Sequence, residues 1–188
     1  MGISPMSFGS QRAVFLDRDG VLNNAVVRDG KPYPPLGLQE VQIMHGVREG
    51  LAELKKEGYL LIVVTNQPDV SRGRVTRESV EEISSYLMSE LPLDDFKVCY
   101  HDNADNCACR KPKPGNILNA AEEHGIDLSR SFMIGDRWSD VEAGRSAGCA
   151  TIYIDSGYVE QAPEAPDFTA RDFTQAVEYI LQSGQQKI

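Results

Sequence analysis

An α/β fold, with a Rossmann-like parallel sheet and helices on both faces, is predicted by three features of this sequence. Short apolar runs recur along it, segments of helical period separate them, and the most reactive polar residues stand where the apolar runs end. The 188 residues, 41% hydrophobic and 25% charged, suit one globular domain able to bury a real core. We expect that domain over residues 12–188, after a flexible tail of residues 1–11.

Arg12 to Asp17 (RAVFLD) opens the pattern as a strand buried on both faces. Val47, Leu51 and Leu54 then fall at i, i+4 and i+7, which puts one apolar stripe on a helix. Leu60 to Asn66 (LLIVVTN) is the second strand. After it, Thr76 is placed to cap a helix whose stripe is Val80, Ile83 and Leu87. Phe96 to Tyr100 reads as a third buried strand, and Lys111 lies in an irregular segment ahead of another helix. Phe132 to Asp136 (FMIGD) and Ala150 to Asp155 (ATIYID) complete the strands, and Phe173, Val177, Ile180 and Leu181 mark a final amphipathic helix. Sheets of this kind bind ligands at the carboxyl ends of their strands. Asp17, Thr65, Asn66 and Asp136 all stand at such ends, and Lys111 can approach from above.

The formal charge of -9 and a pI near 4.8 argue against a broad nucleic-acid face, which is built from clustered Lys and Arg. No run approaches the roughly 20 apolar residues that span a bilayer, and neither a secretory apolar region nor a myristoylation signal opens the chain. The expectation is a cytoplasmic monomer that takes a small ligand, with no nucleic-acid or membrane partner.

The chemistry explains why these residue types belong together. An Asp carboxylate can attack phosphorus as a covalent nucleophile, and Asp17 is placed for it. Both reactants are anions, so Mg2+ on Asp17, the main-chain carbonyl of Asp19 and Asp136, together with the Lys111 ammonium, would offset the repulsion. Two residues along an extended chain the side chain returns to the same side, so Asp19 could protonate the leaving oxygen and later deprotonate water. A calcium-binding loop starting at Asp17 would need Gly and Glu where Leu22 and Arg28 stand.

Four ordered segments, FLDRDGVLN (Phe15 to Asn23), VVTNQ (Val63 to Gln67), CRKPKPG (Cys109 to Gly115) and IGDRWSD (Ile134 to Asp140), resemble the motifs of the haloacid dehalogenase (HAD) superfamily of phosphatases. The likeness runs from about residue 13 to 155. It is strongest to the branch that holds heptose bisphosphate and histidinol-phosphate phosphatases. The resemblance implies Asp17 as nucleophile, Asp19 as acid/base, Thr65 and Lys111 as stabilisers of the phosphoryl group, and Asp136 as a magnesium ligand. It further implies a substrate contact from Arg110 and a water-linked role for Asp140; Asn66, at a strand end, and Arg137 are expected to bind substrate as well. Arg137 stands where many heptose members carry Lys, and keeps the positive charge.

Cys99, His101, Cys107 and Cys109 form C-x-H-x5-C-x-C, a ligand set that suits a closed, tetrahedral and therefore structural Zn2+ site. Such a site would deliver Arg110 and Lys111, which follow it directly, to the strand ends. Cys149 reads as a core thiol. No large inserted domain fits between Asn23 and the helix near Val47, so a capless, open site is expected. Specificity would rest on residues 24–35, residues 68–75 and the cysteine loop. Arg28, Arg72 and Arg74 would supply rim cations for a second phosphate, which favours a sugar bisphosphate. The short spacing of the cysteine loop favours histidinol phosphate instead. Two readings from other classes are a nucleic-acid end phosphatase and a non-catalytic zinc-stabilised module.

Overall fold

A computed structural model of the chain describes residues 9–185. Its main sheet has the order β5-β4-β1-β6-β7-β8, with every pairing parallel. The strands are β1 (Arg12–Leu16), β4 (Tyr59–Asn66), β5 (Asp95–Cys99), β6 (Phe132–Gly135), β7 (Ala150–Ile154) and β8 (Phe168–Ala170). An antiparallel hairpin, β2 (Val26–Arg28) with β3 (Lys31–Tyr33), rises from the loop after β1. The helices are α1 (Val47–Lys56), α2 (Arg77–Glu90), α3 (Gly115–His124), α4 (Trp138–Ala147) and α5 (Phe173–Gln185).

Alternation along the strands sorts the core into two layers. Val14, Leu16, Leu61, Val63 and Ile134 face α1, α2 and α5, where Leu51, Leu54, Ile83, Leu87, Val177 and Ile180 close one core. Ala13, Phe15, Ile62, Val64 and Met133 face α3 and α4 and pack on Ile117, Ala120 and Ala143. The apolar stripes expected on α1, α2 and α5 are buried, save for Leu181 of α5, which is only half-buried at the edge of the core. Thr76 caps α2, its Oγ1 accepting from the Ser79 N–H at 3.1 Å.

Two differences from the sequence reading have simple causes. The third strand is only half-buried along most of its length, because β5 is the edge of the sheet and has a neighbour on one side only. The hairpin and β8 are three residues each, too short to show a period. The expected tail falls mostly outside the described residues, and Gln11 already bridges to Ile126. Cys149 is buried in the second core layer, as expected of a packing thiol.

Among the described residues, no helix is long and apolar enough to cross a membrane. The strand order reverses around β1, which has β4 on one side and β6 on the other, so a crevice opens above these three carboxyl ends.

Candidate active site

The carboxyl end of β1 releases the chain into Asp17-Arg18-Asp19-Gly20. Gly20 is required: it has φ +94°, and a Cβ there would stand 1.8 Å from Asp136 Oδ2. Gly135, at the end of β6, has the same steric reason, since its Cβ would meet Asp140 Cβ at 2.1 Å. Close packing of these two turns brings Asp17, Asp136 and Asp140 together, with one carboxylate oxygen of each within 4.8 Å of the others.

Lys111 is the counter-charge. Its buried ammonium donates to Asp17 Oδ1 at 2.6 Å and to the Val64 carbonyl at 2.7 Å, and meets Asp140 Oδ1 at 2.7 Å. Asn66 places it there: its side-chain amide donates to the Lys111 carbonyl at 3.0 Å and accepts from the Lys111 N–H at 3.1 Å, like a strand neighbour. One ammonium is thus shared between two carboxylates. Burial is the largest influence on Asp17 and raises its carboxyl to about 6; Lys111 opposes this, while Asp140 and Asp19 add to it. Lys111 itself is pushed above the ordinary lysine range by Asp140 and Asp17, which outweigh its burial. Burial, then Asp17 and Asp140, raise Asp136 well above the usual carboxylate range.

Asp19 faces the same pocket and is held from three sides. Arg18 Nε and Nη2 donate to its two oxygens at 3.0 and 2.8 Å, Asn23 Nδ2 to Oδ1 at 2.9 Å and Gln67 Nε2 to Oδ2 at 2.8 Å. Gln67 also donates to Thr65 Oγ1 at 3.0 Å, leaving the buried Thr65 hydroxyl proton free for a ligand. Arg18, Asn23 and Gln67 are positioning residues absent from the sequence-based set, although all three lie inside the quoted motifs.

Asp17, Asp19, Thr65, Asn66, Lys111, Arg137, Ser139 and Asp140 line the pocket, and Pro32, Tyr33 and Pro34 of the hairpin form its apolar wall. Three of the expected substrate contacts are elsewhere. Arg28 is exposed and lies over the Tyr33 ring, 5.8 Å from its centroid, without lining the pocket itself. Arg72 donates to both oxygens of Asp102 at 2.7 and 2.6 Å and to Asp69 at 3.2 Å, so its fork ties the loop after β4 to the cysteine loop. Arg110 donates to Asn103 Oδ1 at 2.7 Å and to the His101 carbonyl at 3.3 Å, within that loop. For Arg72 the reason is a carboxylate of the cysteine loop, Asp102, a partner 30 residues away that no local sequence signal marks.

Two donor sets in the molecule are suited to metal ions. The two carboxylate oxygens of Asp136 are buried without a hydrogen-bond partner, a costly arrangement that a hard cation resolves. Asp17 and Asp140 are within reach of the same ion. Cys99, His101, Cys107 and Cys109 gather one ligand atom each within 4.8 Å, and all the cysteines are free thiols. The three Sγ–Sγ separations of 3.2, 3.4 and 3.7 Å are short enough for the thiolates to share one soft metal ion.

Residues 108–176 match the family model described as HAD-hydrolase-like. The D-glycero-beta-D-manno-heptose-1,7-bisphosphate 7-phosphatase of Helicobacter pylori (strain J99) is 41% identical over 144 residues, covering 73% of this chain and 79% of that protein. The enzyme of the same name from Pasteurella multocida is 36% identical over 159 residues, covering 78% and 83%. Among solved structures, the D,D-heptose 1,7-bisphosphate phosphatase of B. bronchiseptica, complexed with magnesium and phosphate, superposes with a TM-score of 0.78 at 27% identity, covering 92% of this chain and 99% of that one. The carboxylate cluster at the end of β1 thus has relatives whose names state phosphate chemistry, and the chain belongs to the HAD-like phosphatases.

Proposed function

We propose that this phosphatase hydrolyses a phosphomonoester through an aspartyl-phosphate on Asp17, and that its substrate is a D-glycero-D-manno-heptose 1,7-bisphosphate from which the 7-phosphate is removed. The observation that carries the mechanism is the buried ammonium of Lys111 set between Asp17 and Asp140, with Asp19 on the same pocket. The substrate assignment is supported by the names of the relatives. A cytoplasmic monomer remains part of the proposal.

In the first step an oxygen of Asp17 bonds to phosphorus as the bond to the sugar oxygen breaks, and Asp19 gives that oxygen its proton. In the second, Asp19 takes a proton from water, which attacks phosphorus, releases inorganic phosphate and restores Asp17. Lys111 and the Thr65 hydroxyl hold the phosphoryl oxygens throughout. Asp17 and Asp136, with Asp140, would hold Mg2+, which supplies charge neutralisation at the transferring group. The cysteine cluster would hold a structural Zn2+ that fixes the loop leading into Lys111.

The experiment is phosphate release from a panel of phosphorylated sugars, histidinol phosphate and 5′- or 3′-phosphorylated DNA ends, with magnesium, by the wild type and Asp17→Asn. Release from the heptose bisphosphate by the wild type alone is expected. Substantial turnover by folded Asp17→Asn would end the covalent mechanism, and preference for histidinol phosphate would end the substrate assignment.

A further inference from the structure

The segment between β7 and β8, silent in sequence, folds back over the active site. Three consecutive residues of it touch three different parts. The Tyr158 hydroxyl stands beside Gly20 and Asp136, 3.0 Å from where a Gly20 Cβ would lie. The Val159 N–H donates to the Gly30 carbonyl at the tip of the hairpin at 2.9 Å, and a Cβ on Gly30 would meet Val159 Cγ2 at 2.6 Å. Glu160 accepts from Arg137 Nε at 2.9 Å and from Nη2 at 2.6 Å.

We propose that Glu160 is a positioning residue that aims Arg137 at a phosphate group in the pocket, on a strap that residues 158–160 draw across this open site. The inference rests on the phosphate chemistry proposed above. A guanidinium has five N–H donors in a rigid plane, and Glu160 engages only the Nε and Nη2 edge. The donors at the Nη1 end remain for a ligand in the pocket that Arg137 lines. Arg137 is otherwise loosely held: its side chain is 43% exposed, against 18% for Glu160. A long side chain in that position would lose rotamer freedom when it met a ligand, and a fixed partner removes that cost beforehand. The strap is itself fastened to the hairpin and lies against the carboxylate cluster, so the direction in which Glu160 points is determined by the walls of the site.

The test compares Glu160→Ala, Glu160→Gln, Arg137→Ala and the Arg137→Ala/Glu160→Ala double variant, each checked for folding by circular dichroism. Kinetics are measured on the heptose bisphosphate with magnesium. Separately, inorganic phosphate is titrated against the fluorescence of Trp138, the one tryptophan of the chain and the neighbour of Arg137. Glu160→Ala should raise KM by about threefold to tenfold, the scale of ordering one flexible side chain, with kcat changed less than about twofold. Phosphate affinity should fall by a similar factor, and Glu160→Gln, which keeps one acceptor, should fall between. In the Arg137→Ala background the removal of Glu160 should add nothing, because its effect passes through the missing guanidinium. Tighter phosphate binding in Glu160→Ala would show that Glu160 competes with the ligand, and independent losses in the double variant would show a structural role; either overturns the proposal. If no ester is hydrolysed by the wild type, the functional reading fails, while the phosphate titration still decides for or against the coupling of Glu160 to Arg137.

Discussion

Replacing Lys111 by Met removes the ammonium but keeps much of the side-chain volume, and it exposes how much of the fold depends on one charge. Lys111 Nζ lies 2.6 Å from Asp17, 2.7 Å from Asp140 and 2.7 Å from the Val64 carbonyl, all at buried positions. Breaking a buried pair by removing one partner costs about 3–5 kcal/mol, because the carboxylates remain without compensation. For a domain of this size each kcal/mol lowers Tm by about 2–4 °C, so metal-free Lys111→Met should melt about 6–20 °C below the wild type at pH 8. The deficit must depend on pH with a definite sign. In the folded wild type burial raises the Asp17 carboxyl from 3.8 to about 6 even with Lys111 opposing, and without the ammonium it rises further. A carboxyl raised on folding contributes stability that is fully present below its unfolded value and is lost as pH rises through the folded one. Below about 5 a proton therefore stands in for the missing ammonium on Asp17, and the deficit at pH 5 should be about half that at pH 8 or less. Thermal denaturation in EDTA, followed by far-UV circular dichroism at both pH values, measures it. A loss under about 2 °C at pH 8, or a deficit that grows on acidification, would refute the shared-ammonium account.

Asp19→Asn leaves the buried Arg18 without its charged partner and should lower Tm; in folded protein it should reduce kcat by about a hundredfold to ten-thousandfold, the usual contribution of general acid-base catalysis, and a change below about threefold would remove Asp19 from that role. Elemental analysis of protein purified without added zinc should find about one Zn per chain, and Cys107→Ser should lower Tm and slow turnover together; intact thiols with no metal would defeat the zinc assignment. Because Asp102 and Asp69 occupy its guanidinium, Arg72→Ala should slow the heptose bisphosphate and p-nitrophenyl phosphate alike, by less than about tenfold. A loss confined to the bisphosphate would return Arg72 to the rim as a reader of the second phosphate.

The parts of this molecule legible in its sequence are those with strong local signals. Buried strands such as FLD and IVVTN announce themselves by apolar composition, and the residues at their ends, Asp17, Thr65 and Asp136, do converge above the sheet. Lys111 was also legible, since the cysteine spacing immediately before it marks a loop that has to be fixed in place. What stayed hidden depends on distant partners. Asn66 lines the pocket as a strand-end residue should, but that its amide also holds the Lys111 backbone, 45 residues away, has no sequence signal. Arg28, Arg72 and Arg110 carry the right charge for phosphate, yet an aromatic ring, two carboxylates and a carbonyl hold them outside the pocket. The strap of residues 158–160 has no period and no motif, and only its contacts reveal it.

The position of β1 also has a consequence for how the chain must fold. It comes first in chain order among the described strands, yet it occupies the middle of the sheet and is paired on both sides. Its first partner, β4, is complete only at Asn66, and its second, β6, only at Gly135. Until then the apolar Ala13 to Leu16 lacks its native strand partners, and closing those long loops is a slow, entropically costly event. The nucleophile sits one residue beyond that strand, and its ammonium partner arrives 94 positions later. Recovery of activity during refolding should therefore lag behind recovery of helical signal, and the interval between the two is when this chain is most exposed to intermolecular strand pairing.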